Sequence, residues 1–156
     1  MQNVNNETIT GLNHLLQMVN DALNAYMVAA DTESNAAVKD SFQNCIQERK
    51  NYIKELKELI VVNGGNIGDA FAPVITEKRI WRELGASADE NKEITINACI
   101  NGEKAAIKAY EKIAADKQTS EQVRIVLLKH MNGFELAIRR VTSHLTPAND
   151  LTEVVK

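Results

Sequence analysis

Residues 96–113 read Ile96-Asn97-Ala98-Cys99-Ile100-Asn101-Gly102-Glu103-Lys104-Ala105-Ala106-Ile107-Lys108-Ala109-Tyr110-Glu111-Lys112-Ile113. Apolar side chains recur here every three or four residues, the spacing of one helix face. Glu103 falls on that same face, with Ile96, Cys99, Ala106, Ile107, Tyr110 and Ile113. A carboxylate on the inward stripe of a helix is costly unless something pairs with it. Its partner therefore decides whether the core is a metal site or an internal ion pair.

Three similar stripes flank this one. The first, over residues 7–31, carries Ile9, Leu12, Leu16, Val19, Leu23, Tyr26 and Ala30, with Asn5 or Asn6 as its cap. The second, over 35–63, is capped by Ser34 and carries Val38, Phe42, Cys45, Ile46, Arg49, Tyr52, Ile53, Leu56 and Ile60. It ends at Asn63-Gly64-Gly65. The third helix spans 88–116 with Ser87 as cap. The fourth, over 121–145, has Ser120 as cap, His130 and Phe134 on its stripe, and Pro147 beyond its end.

The turns after the first and third helices are tight, which makes antiparallel hairpins. The link over 64–85 is longer and carries a smaller helical pattern, 76–84, around Trp81. A structureless loop of that length is unusual, so the link reads as a crossover along the bundle. Trp81, with Phe71, Pro73 and Ile75, would pack it onto the bundle or anchor a partner. A weak echo joins the halves: residues 24–31 around Tyr26 resemble 108–116 around Tyr110. The expectation is an all-α single domain over 1–156, a ferritin-like four-helix bundle over about 7–145 with a frayed tail at 146–156.

Composition narrows the function classes. The 156 residues carry a net charge of -3 with no basic stripe, which disfavours nucleic-acid binding. The first ten residues lack the apolar segment of a signal peptide, and the longest apolar run, 25–30, is too short to span a bilayer. Cys45 and Cys99 are an isolated pair without a CxxC, so they read as buried reduced thiols. A cytoplasmic protein without membrane contact is expected.

Counting from the turns places Val19, Arg49, Glu103 and His130 at one mid-bundle level. A ferritin-like di-iron site needs a Glu from each of two helices and Glu-x-x-His from each of the others. Here Glu103 stands seven residues before Tyr110, but Val19 holds the matching place before Tyr26. Arg49 and Tyr52 fill the Glu-x-x-His slots of the second helix, and an arginine would repel metal. An Arg49–Glu103 ion pair is the simpler reading, because the guanidinium fork fits a carboxylate. His130 would hydrogen-bond Glu103, Tyr26 or Tyr110. The buried polar layer is thus Arg49, Glu103, His130, Tyr26, Tyr52 and Tyr110. Glu103, His130, Glu48 and Glu135 are the candidates for any iron or manganese, although Glu48 lies about 100° from the stripe centre. His14 and His144 read as surface or boundary residues, and no nucleophile–base pair is visible.

The chain resembles a bacterial four-helix-bundle family of the ferritin-like superfamily known as a domain of unknown function. The resemblance runs over about 12–145. It is carried by Leu12-Asn13, Asn20-Asp21, Tyr26, Ala29-Ala30, Glu48-Arg49, Glu55-Leu56, Gly64-Gly65, Arg79, Trp81, Gly102-Glu103 and Tyr110. It implies a ferritin-like fold and no particular activity. Where some relatives carry a histidine late in the fourth helix, this chain has Ile138. Three functions follow as expectations. The first is a metal-free structural or interaction protein, a bacterial stress or envelope-homeostasis component acting by self-association, as a homodimer or with another protein. The second is an iron or manganese oxidoreductase or storage protein. The third is a small-ligand carrier using the polar layer.

Overall fold

A computed structural model describes residues 2–67 and 92–145, with side chains placed at 6–31, 33–67 and 95–145. Four helices make up this part: α1 (Gln2–Thr32), α2 (Ala36–Val62), α3 (Lys92–Ala115) and α4 (Glu121–Thr142). Among the described residues there is no strand. The expected crossover helix with Trp81, the Ser87 cap and the tail after Pro147 lie outside the described residues.

The helix ends follow local chemistry. Nothing between Gln2 and Gly11 breaks a helix, so α1 starts before Asn5 and Asn6, which lie within it rather than capping it. Asn35, not Ser34, caps α2: its side-chain oxygen accepts from the Val38 N–H at 3.1 Å, while its own N–H donates to Glu33. At the other end Gly64 adopts φ 86°, and the Gly65 N–H reaches the Ile60 carbonyl at 2.8 Å. That 6→1 bond with a left-handed glycine is the Schellman closure. Ser120 caps α4 through the Val123 N–H. α4 stops at Thr142 rather than running to 145, where the Ser143 hydroxyl turns back onto the Arg140 carbonyl at 2.6 Å.

Each helix packs against two others, α1 on α2 and α3, α4 on α2 and α3. α2 and α3 therefore face each other across the bundle diagonal. Gly11 near the start of α1 lies against Ile113 near the end of α3. Ser41 near the start of α2 meets His144 just past α4. Every neighbouring pair is thus antiparallel, and α2 runs in the same direction as α3.

The core divides into two apolar clusters. Towards one end lie Leu12, Leu16, Leu56, Ile60, Val123 and Leu127, with Tyr52, Tyr110 and Phe134. Towards the other lie Tyr26, Val38, Phe42, Ile96, Ala137 and Val141, with both free thiols, Cys45 and Cys99. On α2 the break between clusters is Arg49, and on α3 it is Glu103. Burial on both sides of that break is what keeps the two charges from water.

Candidate functional site

Arg49 and Glu103 are 0% and 2% exposed. They meet through Arg49 Nη2 and Glu103 Oε2. Adjacent helix axes sit about 8–10 Å apart, so the diagonal from α2 to α3 is longer still. Only two extended side chains close it, which suits Arg opposite Glu and excludes shorter pairs. Arg49 Nη1 also reaches Glu48 Oε1 at 3.2 Å. The guanidinium carbon lies 4.6 Å from the Phe134 ring centre, 5.4 Å from Tyr52 and 5.7 Å from Tyr26. The cation is thus held by carboxylate on one side and ring faces on others. Its Nε has no hydrogen-bond partner among the described residues.

A second knot lies further along the bundle. His130 Nδ1 is 3.0 Å from the Tyr110 hydroxyl, and Nε2 is 2.7 Å from Glu55 Oε1. Lys129 donates to the other Glu55 oxygen at 2.5 Å. These distances fit one tautomer: Nε2–H donates to Glu55 and Nδ1 accepts from Tyr110. Tyr52 stacks on the imidazole at 4.0 Å, and Tyr52 and Tyr110 each set an edge against Phe134. A Cβ on Gly133 would lie 1.8 Å from the Tyr52 hydroxyl, so the glycine makes room for that stack.

The knots occupy two levels, not one. Ser41 with His144, Tyr52 with Gly133 and Glu55 with His130 share one antiparallel register. That register sets Arg49 opposite Leu136, six positions and roughly 9 Å from His130. His130 accordingly bonds Tyr110 and Glu55 and not Glu103. Val19 packs in the cluster of Tyr52 and Tyr110.

The family model described as Domain of unknown function (DUF2383) matches residues 7–116. The chain belongs to the DUF2383 family. The matched segment holds Arg49, Glu55, Glu103 and Tyr110, while His130 and Gly133 on α4 lie beyond it. No curated protein matches the chain.

Charge states in this DUF2383 core follow from burial. His130 has its pKa pushed down to about 4: burial outweighs the pull of Glu55, and the ring stays neutral. Burial raises Glu55 too, but hydrogen bonds from Lys129 and His130 outweigh it and leave the carboxyl below its ordinary value. Burial pushes the hydroxyls of Tyr26, Tyr52 and Tyr110 and the thiols of Cys45 and Cys99 upward, so all stay protonated. The Tyr26 hydroxyl lies beside the soft Cys45 thiol and has no oxygen or nitrogen partner among the described residues.

A pair of metal ions does not fit this donor set. Glu103 is bound to one Arg49 guanidinium nitrogen and Glu48 to the other, Glu135 is exposed, and His130 is spent on Tyr110 and Glu55. Among the described residues no three His, Cys, Asp or Glu side chains gather as metal ligands. A groove of about 250 Å³ lies near the start of α1, lined by Gly11, His14, Lys112, Ile113 and Asp116, at the bundle end rather than at the polar levels.

Sequence reasoning missed Glu55 as the partner of the histidine, Lys129 behind that carboxylate, and Gly133 as the space for the Tyr52 stack. Glu55 sits at the edge of the α2 stripe, one position before Leu56, and that edge placement was the available signal. It also missed a hydroxyl–imidazole contact: Ser41 Oγ and His144 Nε2 are 2.7 Å apart, although 103 residues separate them. None of the described helices is long and apolar enough to cross a membrane.

Proposed function

We propose that this protein is a ferritin-like, metal-free scaffold in the cytoplasm that acts through its surface, in a structural or interaction role tied to bacterial stress. The observation that carries the reading is Arg49. A guanidinium sits on the bundle diagonal against Glu103, where a ferritin-like protein would gather carboxylates around iron. A fixed cation there supplies the charge balance that a metal would otherwise bring, and it repels one that approaches. The directions of the helices support the ferritin-like reading. α2 and α3 run the same way, which is the direction pattern of a bundle with one long crossover connection.

The test is elemental analysis of protein purified without chelator, followed by ferrous iron titration in air. The expected result is no stoichiometric metal and no iron oxidation above buffer. Bound iron or manganese that disappears in Glu103→Ala would overturn the reading and make the bundle an oxidase or store.

A further inference from the structure

Three large apolar side chains stand on the outside of α4. Ile125 is 59% exposed, Leu128 50% and Leu136 45%. At about 100° per residue, these three fall within about 40° of one line, together with Asn132 and Arg139. That line is opposite the core stripe of Val123, Leu127, His130 and Phe134. α4 is thus apolar on two faces, and a second apolar stripe on a helix marks a contact surface.

We propose that this outer face of α4 pairs with the same face of a second copy of the chain, antiparallel, with the two-fold axis at Asn132. The inference rests on the reading of a protein that works through its surface. The pattern is self-complementary about that residue. Leu128 and Leu136 are each four positions from Asn132, so each comes to the level of the other on the facing helix. Ile125 and Arg139 are each seven positions away, so the arginine stem covers the isoleucine. The charges agree with the same direction. Glu121 lies in the first turn of α4, and Arg139 and Arg140 lie in its last. Antiparallel pairing brings Glu121 to about one turn from the partner's Arg139, on the same side of the interface, whereas parallel pairing sets like charges together. Among the described residues Glu121 holds the half-buried Arg124 of its own helix, at 2.9 Å, and it has acceptor capacity left. Helix dipoles also run favourably in this arrangement. Isologous contacts of this kind close as dimers and do not propagate.

Sedimentation velocity on the full chain over a wide concentration range reads the proposal directly. The expected result is a species of twice the 17.3 kDa chain mass. Leu128→Asp with Leu136→Asp should weaken dimerisation at least about tenfold, as loss of central apolar anchors does, with helical circular dichroism unchanged. Glu121→Arg should weaken it too, and adding Arg139→Glu to that variant should restore it. Asn132→Cys should oxidise to a disulfide-linked dimer, while Lys50→Cys on the exposed side of α2 should not. A wild-type chain that stays monomeric throughout overturns the interface. So does a dimer indifferent to the leucine substitutions, or one in which Arg139→Glu gives no rescue. Metal content is untouched by these changes, so failure here is separable from failure of the scaffold reading.

Discussion

Arg49 with Glu103 and His130 with Glu55 each join α2 to another helix through a basic side chain and a carboxylate, yet only in the second is a member of the pair itself open to water; the first meets solvent only through Glu48, beside Arg49. In the first, both charges are sealed between the two apolar clusters. In the second, Glu55 is a third exposed and carries Lys129 from the surface. Glu103 in the sealed pair has no solvent to replace Arg49, while Arg49 keeps Glu48 as a second carboxylate. The vented pair can trade partners with water and protons. Stability should therefore respond to deletion at the first knot and to pH at the second.

The largest effect should come from breaking the sealed pair. Arg49→Met strands Glu103 and should cost about 3–5 kcal/mol in urea unfolding. Adding Glu103→Leu should recover much of that, because replacing both partners with apolar groups removes the desolvation penalty as well as the attraction. A double-mutant cycle measures the coupling. If both single changes cost little, the diagonal pair carries no charge balance and the contrast between the knots collapses.

The vented knot should make itself felt through acid. His130 has a folded pKa of about 4 against an ordinary value of 6.5, so folding favours its neutral form. That stability is complete above the unfolded value and is lost as pH falls from about 6.5 towards 4, where the unfolded chain takes up a proton that the folded chain refuses. Over that window the loss is at most roughly 3 kcal/mol, at about 1.4 kcal/mol per pKa unit. Glu55, lowered on folding, acts with the same sign and is lost as pH falls further through its folded value. Chemical denaturation at stepped pH should show the slope, and His130→Phe should flatten it between pH 4 and 6.5. An unchanged slope in that variant would assign the acid response elsewhere.

The four helices and the diagonal ion pair were legible in the sequence, and for one reason. A stripe repeats many times, and a charge placed on it, such as Arg49, can be satisfied only by another inward charge at similar depth. The register between α2 and α4 was not legible. Counting from a turn leaves several residues of play, enough to draw His130 from the Glu55 level to the Arg49 level. Glu55 itself sits at the stripe's edge, where a carboxylate is as easily solvated as bound. Ser41 and His144 carry no pattern at all; only the packed ends of the bundle bring them together.

Gly133 sharpens the comparison at the smallest scale. In the middle of an exposed helix, alanine in place of glycine gains roughly 0.5–1 kcal/mol from reduced chain entropy. Here the new methyl would sit against the Tyr52 hydroxyl and force that ring off His130. Gly133→Ala should therefore reverse the usual sign and cost about 1–3 kcal/mol, the typical toll of overpacking. Tyr52→Phe removes the clashing oxygen, so in that background the same substitution should cost clearly less. The Arg49 pair stands apart from the displaced hydroxyl, and a cycle between Gly133→Ala and Arg49→Met should come out closer to additive than one between Gly133→Ala and Tyr52→Phe. Strong coupling to Arg49 would mean that the two knots move as one unit through Tyr52, whose ring lies 5.4 Å from the guanidinium. The separation into a sealed and a vented knot would then fail.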